Sequence, residues 1–139
     1  MRKQTNLTAS QSNYLGSNYF YGLENKEIDK DQAFKCFLKS ANMGDHWGMV
    51  NLASCYYYGE GVEQNYKQAV HWWEKATNLG NFEAPYNLGL MYLDGTGVEK
   101  NYDKAIDFLK LAHERGSIDA EELKELFNGI EFKLYNLVA

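Results

Sequence analysis

The chain has 139 residues, 45% hydrophobic and 15% aromatic, with one proline, twelve glycines and two cysteines, which suffices for one packed domain and excludes a disordered or collagen-like chain. A formal charge of −5, from 14 basic and 19 acidic side chains, argues against nucleic acid or an anionic membrane as partner, because such binding draws on clustered Lys and Arg; a basic partner fits better. Cys36 and Cys55 have neither CxxC nor zinc-type spacing, so they read as free thiols of a reducing compartment, and no metal or other cofactor is expected.

At the amino terminus Met1-Arg2-Lys3 leads into Gln4-Thr5-Asn6 with no apolar stretch behind it. No secretory signal is read there, the protein is expected in the cytoplasm, and residues 1–8 are expected to be disordered. Residues 4–23 carry no charge, but their Asn, Ser, Thr and Gln groups would go unsatisfied in lipid, which excludes a membrane span.

From there landmarks recur. Gly44, Gly80 and Gly116 are 36 residues apart, as are Ala33, Ala69 and Ala105; Tyr19, Tyr56, Tyr92 and Gly22, Gly59, Gly95 step by 37 and then 36. Unit one therefore holds one extra residue, placed in the polar stretch 23–27, where a loop absorbs it. Within each unit Leu52 and Tyr56, or Leu88, Met91 and Tyr92, keep helical spacing. Gly59-Glu60-Gly61 and Gly95-Thr96-Gly97 end these first helices. Asp29, Asn65 and Asn101 then stand as N-caps of second helices, with Gln32 and Gln68 three residues on as in a capping box. The stripes Ala69, Trp72, Trp73, Ala76 and Ala105, Phe108, Leu109, Ala112 predict second helices over 66–79 and 102–115, with both tryptophans in the core. After the third unit, residues 118–127 predict an amphipathic capping helix, and Asn128-Gly129 a turn before a last short helix or a segment lying along the cap. The fold expected is all-α: a right-handed solenoid with one continuous core, built of units 9–45, 46–81 and 82–117 and closed by a carboxy-terminal cap over 118–139.

This pattern resembles the Sel1-like repeats, relatives of the tetratricopeptide repeat. Unit three carries it in Ala84, Leu88-Gly89, Tyr92, Gly95-Thr96-Gly97-Val98, Asn101, Ala105 and Gly116. Unit two carries it in Leu52, Tyr56, Gly59-Glu60-Gly61-Val62, Ala69, Trp72-Trp73-Glu74-Lys75-Ala76 and Gly80. Unit one departs, with Glu24 for the second glycine, no valine, and Cys36 where Trp72 stands, which leaves the shape of its inter-helix turn open. The resemblance implies a helix-pair superhelix that works by binding.

Catalysis has no support in the residues. Residues 95–100 lack the third glycine of GxGxxG and the GKS/T end of a phosphate loop. His71 and Glu74 read as a surface pair, His46 and His113 lack catalytic partners, and no serine is followed three residues later by lysine. Charge is instead conspicuous by its placement: residues 10–22 and 46–59 carry none, and 82–95 carry only Glu83 and Asp94. First helices line the concave face of such a superhelix, so that face is expected to be aromatic, apolar and faintly acidic, as a recognition surface is. The candidate partner-binding residues are Phe20, Tyr21, Trp47, Val50, Tyr57, Tyr58, Tyr86, Leu90, Leu93 and Asp94, with Asn13, Ser17 and Ser54 beside them and Asn51 and Asn87 recurring in register. Without Lys or Arg the face lacks a carboxylate clamp, so an apolar or basic protein segment is the expected partner. The alternatives are an immunity protein neutralising a bacterial toxin and, from another class, a hydrolase or metal-dependent enzyme.

Overall fold

A computed structural model describes residues 6–138. Among them there are seven helices and no strand: α1 Ala9–Tyr21, α2 Lys30–Asn42, α3 His46–Tyr58, α4 Tyr66–Asn78, α5 Ala84–Asp94, α6 Tyr102–Glu114 and α7 Ala120–Val138. The pairs α1/α2, α3/α4 and α5/α6 stack in chain order, each second helix also packing on the next first helix, and α7 closes the stack against α6. The architecture is the expected all-α helical-repeat superhelix.

The second helices start where the cap residues place them. Asp29, Asn65 and Asn101 accept hydrogen bonds from the backbone N–H of Gln32, Gln68 and Lys104 at 3.0, 3.1 and 3.0 Å. The reciprocal bonds expected from Gln32 and Gln68 are not formed. The N–H of each cap residue instead donates to the carbonyl of the repeat's landmark tyrosine, Tyr19, Tyr56 or Tyr92, at 2.9, 2.8 and 2.9 Å, so the helix hairpin has already used that donor. A full capping box occurs at Thr8: its hydroxyl accepts from Gln11 N–H, and the Gln11 side chain accepts from Thr8 N–H. Residues 6–8 are described and Thr8 caps α1, contrary to the disorder expected over residues 1–8; residues 1–5 of that expectation lie outside the described residues.

Packing between the paired helices explains the small residues of the repeat. A Cβ on Gly16 would stand 2.6 Å from the Phe37 ring, and one on Gly89 would stand 2.8 Å from Leu109. Ala53 and Trp73 are the equivalent pair of unit two, and both are buried. Trp72 and Trp73 are 9% and 3% exposed, as expected of a helix flanked on two sides. In place of the one continuous core expected, the interior consists of two clusters, one spanning α1 to α5 and one joining α5, α6 and α7, bridged by Val98 and Phe108, which pack against both.

Two joints hold successive units together. Gly61, at φ +71°, and Gly97, at φ +69°, lie in the turns after α3 and α5, where an added Cβ would fall 2.1 Å from the Lys30 carbonyl oxygen and 2.6 Å from Tyr66 Cβ. Each turn therefore rests on the first residue of the preceding unit's second helix. In the corresponding turn of unit one Glu24 and Asn25 take positive φ, 49° and 62°, with Tyr14 Oη and Asn18 Nδ2 donating to the Glu24 carboxylate.

The second joint centres on Asn81, which is 1% exposed. Its Oδ1 accepts from the N–H of Glu83 and Ala84 at 2.9 and 2.8 Å, starting α5, and its Nδ2 is 3.0 Å from His46 Nδ1. Arg115 Nη1 donates to the carbonyls of Thr77 and Asn81 at 2.9 and 2.8 Å, so one asparagine ties units two and three. Asn81→Ala strands a buried N–H at Ala84 and is expected to destabilise the fold by about 2 kcal/mol. Asn81→Asp keeps the acceptor and should lose less; urea denaturation compares the two, and equal losses would contradict the capping role.

Helix α7 departs from expectation by running unbroken through Asn128-Gly129. Leu123, Leu126, Phe127 and Ile130 follow i, i+3, i+4, i+7 and pack with Tyr92, Leu93 and Leu109. A turn at 128–129 would pull Ile130, 1% exposed, out of that cluster, and burial of this side chain outweighs the weak helix propensity of one glycine.

Candidate interaction face

Helices α1, α3 and α5 present their charge-free sides together, and two clefts open on either side of α3. The first, about 340 Å³, lies between α1 and α3 and is lined by Phe20, Tyr21, Phe37, Asn51, Ser54, Tyr58 and Glu60. The second, about 170 Å³, lies between α3 and α5 and is lined by Ser54, Tyr57, Tyr58, Trp73, Asn87, Leu90, Met91, Asp94 and Thr96. Ser54 and Tyr58 belong to both and form the ridge between them.

Aromatic contacts hold the walls. Tyr57 meets Tyr58, Tyr66 and Trp73 with ring centroids 4.8, 5.2 and 5.7 Å apart. Phe20 meets Tyr21 at 4.9 Å and Phe37 at 6.3 Å, and Lys30 Nζ sits 3.2 Å from the centre of the Phe20 ring. Asn51 Nδ2 donates to Asn13 Oδ1 at 2.7 Å, tying α3 to α1 across the face. Burial raises the Tyr57 phenol above its ordinary value, with the neighbouring phenols and Asp94 adding to it, so it stands as a neutral hydrogen-bond donor.

Six of the ten candidate residues line the clefts: Phe20, Tyr21, Tyr57, Tyr58, Leu90 and Asp94. Trp47 sits apart, packed edge-on against Phe82 at 5.2 Å near the start of α3. Tyr86 turns toward α7, where burial, with the nearby Glu122 carboxylate adding to it, raises its phenol. Val50 and Leu93 were expected in the groove, but both are buried, at 5% and 8% exposure. On α3 the outward stripe is Asn51, Ser54 and Tyr58, and Val50 lies about 100° round the helix from Asn51, on the flank equivalent to the one on which Tyr86 meets α7. Leu93 occupies the place of Tyr57 one unit later, but there it packs in the cluster of Ile130.

Residues missed from the sequence are Phe37, Glu60, Trp73, Met91 and Thr96. Glu60 was legible as the residue between two glycines at the end of a groove-lining helix. Trp73 belongs to the core and also to the cleft lining, and its indole N–H has no hydrogen-bond partner among the described residues.

The chemistry offered is that of a binding surface. Neither cleft is lined by histidine, cysteine, lysine or arginine. Both cysteines are free thiols; burial, with Glu60 adding to it, pushes Cys55 up to about 12, and burial raises Cys36, so neither is poised as a nucleophile. Glu74 accepts from Tyr92 Oη at 3.4 Å. Among the described residues no group of three or more His, Cys, Asp or Glu could hold a metal ion, and no helix is long and apolar enough to cross a membrane. The clefts carry only Glu60 and Asp94 as charges. Residues 1–81 hold eight acidic and eight basic side chains, so the whole net charge of −5 belongs to residues 82–139, the α5–α7 end.

Comparison with known proteins agrees with this architecture. A crystal structure of a Sel1 repeat protein from Oxalobacter formigenes matches with a TM-score of 0.74 at 30% identity, over 78% of this chain and 43% of that one. A protective antigen of uropathogenic Escherichia coli with an SLR fold matches with a TM-score of 0.75 at 30% identity, over 78% of this chain and 23% of that one. The chain thus spans less than half the length of either. Helicobacter pylori cysteine-rich protein B shares the fold at 24% identity, with a TM-score of 0.68, over 83% of this chain and 88% of that one. No curated protein sequence matches the chain. The Sel1 repeat, generally a protein-interaction module, matches residues 12–45, 48–81 and 83–117, and with all three helix pairs accounted for in this way the chain belongs to the Sel1 repeat family.

Proposed function

We propose that the protein is a non-enzymatic interaction module that works in the cytoplasm and holds another protein's segment on the face of α1, α3 and α5. The observation that carries this reading is the pair of clefts flanking α3, walled by aromatic side chains and free of basic groups. Exposed tyrosine edges of this kind supply large contact area at little entropic cost, and tyrosine is among the residues that dominate binding energy at interfaces. Tyr58 is 68% exposed and forms the ridge, so its removal tests the surface without touching the core.

Tyr58→Ala combined with Asp94→Lys is expected to weaken partner capture at least tenfold, about 1.4 kcal/mol or more, while helicity and melting temperature stay at wild-type values. The check is quantitative cross-linking and mass spectrometry of proteins retained by each form. Equal retention of the same partners would remove this face as the binding surface. Leu93→Ala does not serve as such a test, because it opens a cavity in the α5–α7 cluster and couples binding to folding.

The acidic excess of residues 82–139 supports a second reading, neutralisation of a basic toxin. It requires a toxin gene beside this one and nanomolar affinity between the two products; a module with several weaker partners contradicts it.

A further inference from the structure

We infer that the α3/α5 cleft is a binding site for a methylated ammonium group, held by cation–π contact with Tyr57 and Tyr58 and by the carboxylate of Asp94. This goes beyond the reading of the face as a protein-binding surface and does not depend on it.

The electrostatics of the cleft favour a cation. Tyr57 and Tyr58 close α3, and Met91 and Asp94 close α5, so the cleft lies at two helix carboxy termini, where aligned backbone dipoles leave partial negative charge. Neither last turn carries a basic residue, and no Lys, Arg or His lines the cleft. Asp94 stands at the unfavourable end of the α5 dipole, at the place held by Tyr21 and Tyr58 in units one and two. It is exposed and has no ion-pair partner among the described residues. It is also near enough to Tyr57 to add, after burial and the neighbouring phenols, to the rise of that phenol.

The neighbouring cleft has the same chemistry satisfied from within the chain. Lys30 Nζ lies 3.2 Å from the centre of the Phe20 ring and 3.5 Å from the Glu60 carboxylate, and Phe20 and Glu60 both line the α1/α3 cleft. One unit later Tyr57 takes the place of Phe20, and Tyr66 takes the place of Lys30. Rings and a carboxylate remain, but the chain supplies no cation, so a ligand must bring it.

The walls select the type of cation. Tyr57 and Tyr58 meet at 76° with ring centroids 4.8 Å apart, and Trp73, Leu90 and Met91 add apolar surface beside them. A primary ammonium brings three N–H donors and a tightly held hydration shell, and Asp94 is the one charged acceptor lining the cleft. Lys30 escapes that cost because its side chain is 34% exposed. A trimethylammonium has no N–H to satisfy, and aromatic walls are the surroundings that recognise it. The cleft, about 170 Å³, suits a small headgroup of this kind.

The test is calorimetric titration of the full chain with four probes: choline, ethanolamine, the uncharged analogue of choline in which tert-butyl replaces trimethylammonium, and acetyl-trimethyllysine amide. Choline is expected to bind at least about fivefold more tightly than ethanolamine and about tenfold more tightly than the tert-butyl analogue. Asp94→Asn keeps the shape and removes the charge; Tyr58→Leu keeps apolar surface and removes the ring. Each should weaken choline at least about fivefold at an unchanged melting temperature, and should Tyr58→Leu melt early, Asp94→Asn decides. Choline affinity matched by ethanolamine or by the tert-butyl analogue, or untouched by Asp94→Asn, overturns the site, as does failure of both choline and trimethyllysine to bind. Trimethyllysine binding more tightly than choline supports the site and assigns the group to a partner protein; the reverse order supports it and assigns a free small molecule. Proteins retained by the wild-type face are a separate readout, so losing this site leaves the interaction reading standing.

Discussion

Gly61→Ala is expected to cost roughly 2–5 kcal/mol and to lower the melting temperature by about 10 °C. Part of the loss is conformational, since an L-residue at φ +71° pays about 1–2 kcal/mol for the left-handed region. The rest is steric: the new methyl would lie 2.1 Å from the carbonyl oxygen of Lys30, a backbone atom at the start of α2 that cannot swing aside, so two units must separate, at a cost comparable to core overpacking of about 1–3 kcal/mol. Against a total of about 5–15 kcal/mol for such a domain, that is a large fraction. Glu24→Gly is the control, because the corresponding turn in unit one rests on no other unit among the described residues and should show no comparable loss. Thermal unfolding followed by circular dichroism decides; if Gly61→Ala melts with the wild type, the turn does not form the joint between units.

Trp73→Ala is expected to destabilise by about 3–5 kcal/mol and to weaken capture of a partner on the proposed face. The ring is 3% exposed and supports Tyr57 at 5.7 Å, so its loss leaves a cavity beneath the cleft wall and releases Tyr57. Trp73→Phe separates the two effects. It removes the indole N–H, which is buried without an acceptor and costs about 1–3 kcal/mol in that state, while keeping an aromatic side chain for Tyr57 to pack on. Its stability should fall far less than that of the alanine variant, and partner capture on the proposed face should survive. A phenylalanine variant as unstable as the alanine variant would show that the indole makes a contact the ring alone does not replace.

Much of the fold was legible because its determinants are local and repeated. Asp29, Asn65 and Asn101 cap helices in three successive units, and Ala33, Ala69 and Ala105, all 0% exposed, mark where paired helices approach. Residues whose environment is set by the next unit were harder to read. Leu93 and Tyr57 occupy equivalent places, yet α7 covers one and leaves the other at the mouth of a cleft. Gln32 and Gln68 stand at capping-box spacing, but Tyr19 and Tyr56, ten and nine residues before their caps, had already taken the N–H groups. Asn81 follows an ordinary helix-ending glycine in the sequence; folding of its own unit brings His46 to it, and only the stacking of unit three brings Arg115. The groove stripe was found because charge is excluded from it over whole helices; Val50 fell outside it by one residue, since 100° of rotation separates solvent from core.

Concentrating all surplus negative charge beyond residue 81 gives the molecule a permanent electrical polarity from its neutral first helices to its acidic last ones. A cationic protein drifting nearby experiences a torque before any atoms touch, and arrives with its positive end already facing Asp94 and α7. Such pre-alignment acts on the encounter rate, so if the proposed cationic partner is held on the clefts, added salt is expected to slow its capture and to change the lifetime of the complex little.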